Sequence, residues 1–431
     1  MRAAVLGLAL MGCSEKDGDS ASTDADDTGD AAACVDEGGA CVLEGAILED
    51  TTLTADRAWL LRGGVQVGDD GSDVTLTIEP GTTVYGESAS GGFLVVTRGA
   101  KIHAEGTAAA PILFTSDQPE GSRARGDWGG IAINGRGRVN GCAPGVEPCE
   151  AEGEGGTGTY GGDDDADDSG VLRYVVIQFG GTEISVDNEI NGLGLQAVGS
   201  GTTIDHVQIH MNLDDGVEFW GGAVDVTHLV VTNPGDDGID WDFGYRGHIQ
   251  YAVVQQGEGA GNNGTECDNN EANHLADPVS RPSVSNVTFL GDPGVVEDNY
   301  AMLFRRGAAP RYSNIAAAGF SAGCLAIRDQ ATFDAFAAGT ASLDHVVLAC
   351  DSSFEESVEE TETGTEEGVF GQGDGNRTVA ELGLDGWVPA AGSPLLGAGD
   401  TPSDPWFEAT DFVGGVGADD WTAGWTVSAA D

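Results

Sequence analysis

Residues 210–244 read HMNLDDGVEFWGGAVDVTHLVVTNPGDDGIDWDFG and contain one unit twice, Asp214-Asp215-Gly216-Val217-Glu218-Phe219 and Asp236-Asp237-Gly238-Ile239-Asp240-Trp241. The copies lie 22 residues apart, and another 22 residues back from Gly216 stands Gly194, in Gly194-Leu195-Gln196-Ala197. Short β-type runs repeated at this length, and broken by Gly, Asn and Asp turns, predict successive coils of a parallel β-helix. Strand alternation puts Val217, Phe219, Ile239 and Trp241 on a core face and Glu218 and Asp240 on the opposite, outward face.

Outward from this stretch the punctuation continues. Val74–Ile78, Val84-Tyr85, Phe93–Val96, Lys101–His103, Ile112–Thr115 and Ile131–Asn134 are short, apolar or alternating runs set between Gly and Pro turns. From Leu172 onward, strand runs open on Tyr174, His206, His228, Tyr251, Asn286, Asn314 and His345, at intervals of 32, 22, 23, 35, 28 and 31. Intervals near 22 are bare coils and the longer ones carry loops, with 257–277 and the acidic run 355–367 as insertions. A polar or aromatic residue recurring at one position stacks about 4.8 Å above its predecessor in a solenoid. His206 and His228 are therefore expected in a structural column, with metal ligation as the lesser alternative. No amphipathic helix separates the runs, which leaves no crossovers for a doubly wound sheet. The one short helix is expected at Asp329–Gly339, where Phe333 and Phe336 cover apolar surface. The class predicted is all-β: a single-stranded right-handed parallel β-helix with loop insertions, its C-terminal end capped by the region holding Trp421 and Trp425.

Composition bounds the partners. Eighteen Lys and Arg stand against 72 Asp and Glu, a net charge of −54. No basic footprint exists for nucleic acid, and anionic surfaces are approached only through divalent cations. The opening residues Met1–Ser14 have a positive start and a short apolar run ending in Leu10-Met11-Gly12-Cys13. They resemble a bacterial lipoprotein signal peptide, residues 1–12, with Cys13 acylated. Ser14-Glu15 follow the cysteine, and the anchored protein is expected at the outer membrane, facing outward or into the periplasm. Residues 13–33 then form an acidic tether with no aliphatic side chain larger than alanine after Cys13, and 34–431 the β-helix domain. An exported chain favours disulfides, and spacing suggests Cys34–Cys41, Cys142–Cys149 and Cys324–Cys350, leaving Cys267 unpaired.

Aligned, the two copies stack Asp214 on Asp236, Asp215 on Asp237 and Glu218 on Asp240, with Asp298 continuing the first column. Like charges one strand spacing apart repel, so the column must serve turn amides, bind a cation or share a proton. Calcium suits clustered carboxylates, and Asp214, Asp215, Asp236 and Asp237 are its candidate ligands, with Asp163 and Asp165 in the acidic loop 136–168 as a further set. Asp214, Asp236, Glu218 and Asp240 are the candidates for acid–base work on a glycosidic bond. Trp220, Trp241, Phe243, Tyr245 and Arg246 would line a ligand groove.

Gly126–Ile131 (GDWGGI), Glu154–Gly162 (EGGTGTYGG), Asp187–Gly192, the two DDG units and Asp419–Trp425 (DDWTAGW) resemble a group of secreted bacterial proteins and lipoproteins of right-handed β-helix fold, without an established activity. The resemblance covers about Leu53 to Thr426. It implies the fold and export and transfers no catalytic residue. Likeness to pectin-acting β-helices is confined to the acidic pairs. The reading is a monomeric, lipid-anchored surface module that is structural, adhesive or binds a glycan or a cell-surface protein, stabilised by Ca²⁺ and leaning away from catalysis. The alternative is a polysaccharide-degrading hydrolase or lyase working at Asp214–Asp240.

Overall fold

The structure, a computed structural model, describes residues 35–427 other than 38, 144, 186–187, 296–298 and 356–361. The leader, Cys13, the tether, Cys34 and Asp298 lie outside the described residues. Twenty-five strands form one continuous sheet, and every pairing in it is parallel except the first, Val35–Glu37 against Ala40–Ile47. Parallel strands without intervening helices stack as coils. Thus Leu193–Gln196 pairs with Val217–Trp220, then Ile239–Asp242, Thr265–Cys267 and Tyr300–Phe304 follow rung by rung. Val217, Phe219, Ile239 and Trp241 are buried in the core, as the alternation predicts.

Two details of the repeat differ from expectation. Leu193 faces Val217, so Gly192 and not Gly194 stands against Gly216. Asp240 faces Glu266, which makes Asn262-Asn263-Gly264 a third copy of the turn. Asparagine in place of aspartate hides that rung inside 257–277, a segment expected to be all loop. Asn262 therefore follows Asp236 in the first column.

Tyr174, His206, His228, Tyr251, Asn286, Asn314 and His345 do form one column, and each has φ between 48° and 62°. They are corners: Asp205 pairs with Thr227 and Val207 with Leu229, while 206 and 228 fall outside the ladder. A left-handed non-glycine residue costs about 1–2 kcal/mol, which stacking offsets. Ring centroids lie 4.3 Å apart for Tyr174–His206, 4.1 Å for His206–His228 and 5.0 Å for His228–Tyr251. Asp205 Oδ1 bridges Nδ1 of His206 at 2.7 Å and Nδ1 of His228 at 2.9 Å. Burial opposes ionisation of Asp205, but hydrogen bonds from both imidazoles outweigh it and hold the carboxyl well below the usual range. The stacked rings are only 20° from parallel, so one metal ion cannot lie in the plane of both. Ring stacking and the Asp205 bridge hold the column together.

The C-terminal segment packs on the last coil through Leu382 and Leu395 but carries Trp421 and Trp425 away from that end. It runs back along the flank as a strap, because the flank's outward row is itself largely apolar. Val176, Gln208, Val230, Val253, Thr288, Ala316 and Val347 follow one another on that row and are all buried. Trp425 packs on Val176 and Val230, and Trp421 and Trp425 sit edge-on to His206. Side-chain amides hold the strap by its backbone, each through both N–H and C=O. Gln208 binds Val427 (2.7 and 2.7 Å), Gln250 binds Glu408 (3.0 and 2.9 Å) and Asn314 binds Asp400 (2.8 and 3.0 Å). Gln250→Leu strands both Glu408 groups and is expected to cost about 1–3 kcal/mol. Urea denaturation reads this loss, and hydrogen exchange should show the Glu408 amide opening first.

Helix Gln330–Ala337 lies where expected, and its Phe333 and Phe336 join the core together with Val369 and Phe370. Disulfides close Cys142–Cys149 and Cys324–Cys350, Cys41 is disulfide-bonded, and Cys267 is a buried free thiol.

Candidate functional site

The turn entering each rung of the central face is built by one recurring bond. Asn191 Oδ1 accepts from Asp215 N–H (3.1 Å), Asp215 Oδ1 from Asp237 N–H (2.9 Å), Asp237 Oδ1 from Asn263 N–H (2.5 Å) and Asn263 Oδ1 from Tyr300 N–H (3.1 Å). The second aspartate of each DDG unit is thus a turn cap, and the glycine after it allows close approach: a Cβ on Gly238 would meet Gly264 O at 2.7 Å. Two residues beyond that glycine, the strand presents Glu218, Asp240 and Glu266 outward on consecutive rungs.

The caps and the outward row converge. Carboxylate oxygens of Asp215, Glu218 and Asp240 lie within 4.8 Å of one another, as do those of Asp237, Asp240 and Glu266. Asp240 belongs to both groups. Asparagine caps can neutralise this row and aspartate caps cannot: Asn191 Nδ2 donates to Glu218, and Asn263 Nδ2 to Glu266 at 3.4 Å. Asp240 Oδ1 and Asp242 Oδ1 are buried without a hydrogen-bond partner. Burial first, and neighbouring carboxylates second, push the carboxyls of Asp215, Glu218 and Asp237 well above their ordinary range. Burial also raises Asp240, with Asp268 adding to it and Arg305 opposing.

Positive charge enters at one edge. Arg305 pairs with Glu266 and holds Asp268 at 2.8 Å, and Arg306 holds Asp268 at 2.6 Å. Burial nevertheless pushes Asp268 up to about 7, against the pull of Arg306. On the other side the hairpin Cys149–Glu152/Thr159–Gly162 packs Tyr160 with Trp220. Burial, then Asp242, Glu218 and Glu154, push the Tyr160 phenol up.

The remaining sequence candidates separate clearly. Asp214, Asp215 and Asp236 form another oxygen cluster within 4.8 Å, with Asp236 exposed. Trp241 and Tyr245 are fully buried and Trp220 is covered, so none of the three offers a ring face to a surface ligand. Of the four aromatics expected to line a groove, only Phe243 is half-exposed. Arg246 is tied to Asp165 at 2.7 Å, and Arg138 also pairs with Asp165, which occupies that carboxylate with guanidinium groups. Asp163 is exposed and joins no ligand cluster among the described residues. Glu266, Asp268, Asp242, Glu154 and Tyr160 were not among the site residues expected from the sequence. Glu266 was within reach, since Asn263-Gly264-Thr265-Glu266 repeats Asp237-Gly238-Ile239-Asp240 with one amide for acid.

Chemically, oxygens this close suit one shared cation or proton. A glycosidase pair flanks its bond at about 5–10 Å. The donor set is all oxygen, which fits Ca²⁺, and the orphaned Asp240 Oδ1 marks where an ion would satisfy it. With this geometry in view, residues 45–426 match the family model described as a pectate-lyase-like beta helix domain. No curated protein and no solved structure matches the chain. The family match covers most of the chain and rests on the β-helix domain as a whole.

Proposed function

Because the chain belongs to the pectate-lyase-like β-helix family, we propose that it is a surface-displayed module that binds an acidic or neutral glycan through a Ca²⁺ held by the carboxylate ladder. The observation carrying this reading is Asp240, shared by two oxygen triads and left with a buried oxygen that no donor reaches. Asp215, Glu218, Asp237, Asp240 and Glu266 would hold the ion, whose part is to neutralise the ladder and to offer charge to glycan oxygens. A divalent ion also answers the −54 net charge, which otherwise repels acidic polysaccharide. Display at the outer membrane through acylated Cys13 rests on Leu10-Met11-Gly12-Cys13 and the acidic tether after it.

Polysaccharide cleavage is the second reading, favoured by Glu218 and Asp240 carboxyls that burial raises well above their ordinary range, the direction a general acid needs. Asp240→Asn separates the two. On the binding reading, Ca²⁺ raises the melting temperature of the wild type, Asp240→Asn abolishes that rise, and no reducing ends or unsaturated products form from any glycan retained. Product formation by the wild type that Asp240→Asn eliminates would establish the enzyme instead.

A further inference from the structure

Away from the ladder, a cleft of about 770 Å³ opens between the loop closed by Cys142–Cys149 and the segment Asn270–Asp277. Its walls are preformed. The disulfide fixes one, and an amide network ties it to the other: Asn140 Nδ2 donates to Asn269 Oδ1 at 2.8 Å and to Pro278 O at 2.9 Å, while Asn270 Nδ2 donates to Asn140 O at 3.2 Å. Aliphatic side chains and half-buried Phe243 line part of it, and Asn140, Asn270 and Asn273 the rest of its floor and walls below the rim. Six large hydrophobic side chains are exposed among the described residues, and two of them, Leu275 at 79% and Val146 at 49%, border this cleft. Leu275 is the most exposed of the six, so apolar surface is concentrated here.

The rim is acidic. Glu147, Glu271 and Asp277 line the cleft, all exposed, and no Lys, Arg or His is among its described lining residues. Glu271 reaches Arg306 only at 3.6 Å and remains 78% exposed, leaving it open to a stronger partner. An apolar, rigid recess with a ring of carboxylates selects a cationic group carried beside an apolar body. A neutral sugar would gain little from aliphatic Leu275 and Val146, and an acidic ligand would be repelled.

We propose that this cleft is a docking site for a basic peptide segment of a partner protein, which seats an aliphatic or aromatic side chain between Leu275, Val146 and Phe243 while its Lys or Arg residues meet Glu147, Glu271 and Asp277. The site needs no cation on the carboxylate ladder. The test uses the full chain and a fluorescent hexapeptide with a Leu-Phe pair flanked by lysines, read by polarisation. Binding is expected for the wild type, at least ten-fold weaker in Leu275→Asp and in Glu271→Lys, and diminished by salt. Leu275 is exposed, so its variant should keep the wild-type melting temperature. The proposal is overturned if the hexapeptide does not bind. Equal affinity for an all-lysine peptide would overturn it too, by reducing the effect to net charge. So would unchanged binding in Leu275→Asp, or displacement of the peptide by neutral oligosaccharide, which would make the cleft a sugar subsite.

Discussion

In EDTA the protein is expected to become more stable as pH is lowered from 8 to 5, and in millimolar Ca²⁺ most of this gain should vanish. The carboxyls of Asp215, Glu218, Asp237 and Asp240 are raised by burial and by one another. Between the ordinary carboxylate range and these raised values the folded chain holds protons that the unfolded chain has released. Stability then falls as pH rises through the window and returns as pH falls. Asp268, at about 7, places part of the window near neutrality. A tenfold difference in proton affinity between the folded and unfolded chain corresponds to about 1.4 kcal/mol. A few kcal/mol, at about 2 °C per kcal/mol in a large domain, gives a rise of roughly 5–10 °C between pH 8 and 5. A cation bound to the ladder favours the ionised form and removes the penalty at pH 8. Differential scanning calorimetry at both pH values, with and without Ca²⁺, checks this.

His248 shifts in the same direction and must be controlled. Burial disfavours its charged form, but Asp225 and Asp404 prevail and raise it. Its contribution is full below its unfolded value and lost as pH rises through the folded one. Asp404 belongs to the strap, so this part survives in Asp240→Asn, whereas the calcium-sensitive part does not. A pH profile identical in wild type and Asp240→Asn would dismiss the ladder as its source.

Most of the architecture was legible because a solenoid repeats its reasons. Gly216 and Gly238 mark turns, Phe219 and Trp241 mark the core, and the corner column is visible from Tyr174 to His345, although its left-handed geometry is not. What stayed hidden depends on pairs far apart in sequence. Nothing near Trp425 says that it lands on Val176 and Val230. The unalternating runs Tyr174–Ile177, His228–Val231 and Tyr251–Val254 carried the sign, since a strand apolar on both faces needs a cover on each. The groove aromatics failed for the opposite reason: alternation already assigned Trp241 to the core, and an outward ring cannot also be an inward one. The ladder was half legible, because the spacing of 22 exposes identical copies and conceals Asn262-Asn263-Gly264.

That concealed copy defines the sharpest substitution. Positions 191, 215, 237 and 263 do the same work, accepting the next rung's N–H, yet the chain uses Asn, Asp, Asp and Asn. Turn capping alone is therefore satisfied by asparagine and gives no reason for two buried acids. In Asp237→Asn, Oδ1 still accepts from Asn263 N–H, and the new Nδ2 becomes a donor beside Asp240 and Glu266, whose oxygens lie within 4.8 Å of the Asp237 carboxylate. One buried charge disappears and a hydrogen bond replaces a repulsion. Without divalent cations Asp237→Asn should be more stable than wild type at pH 8 by about 1–3 kcal/mol. Asp237→Ala leaves Asn263 N–H without its acceptor and should lie about 1–3 kcal/mol below the asparagine variant. With Ca²⁺ the order of wild type and Asp237→Asn should reverse, because only the wild type retains the full carboxylate set. Urea titrations of the three proteins in EDTA and in Ca²⁺ decide the matter. Wild type more stable than Asp237→Asn in both would make the acid a structural choice with no cation behind it.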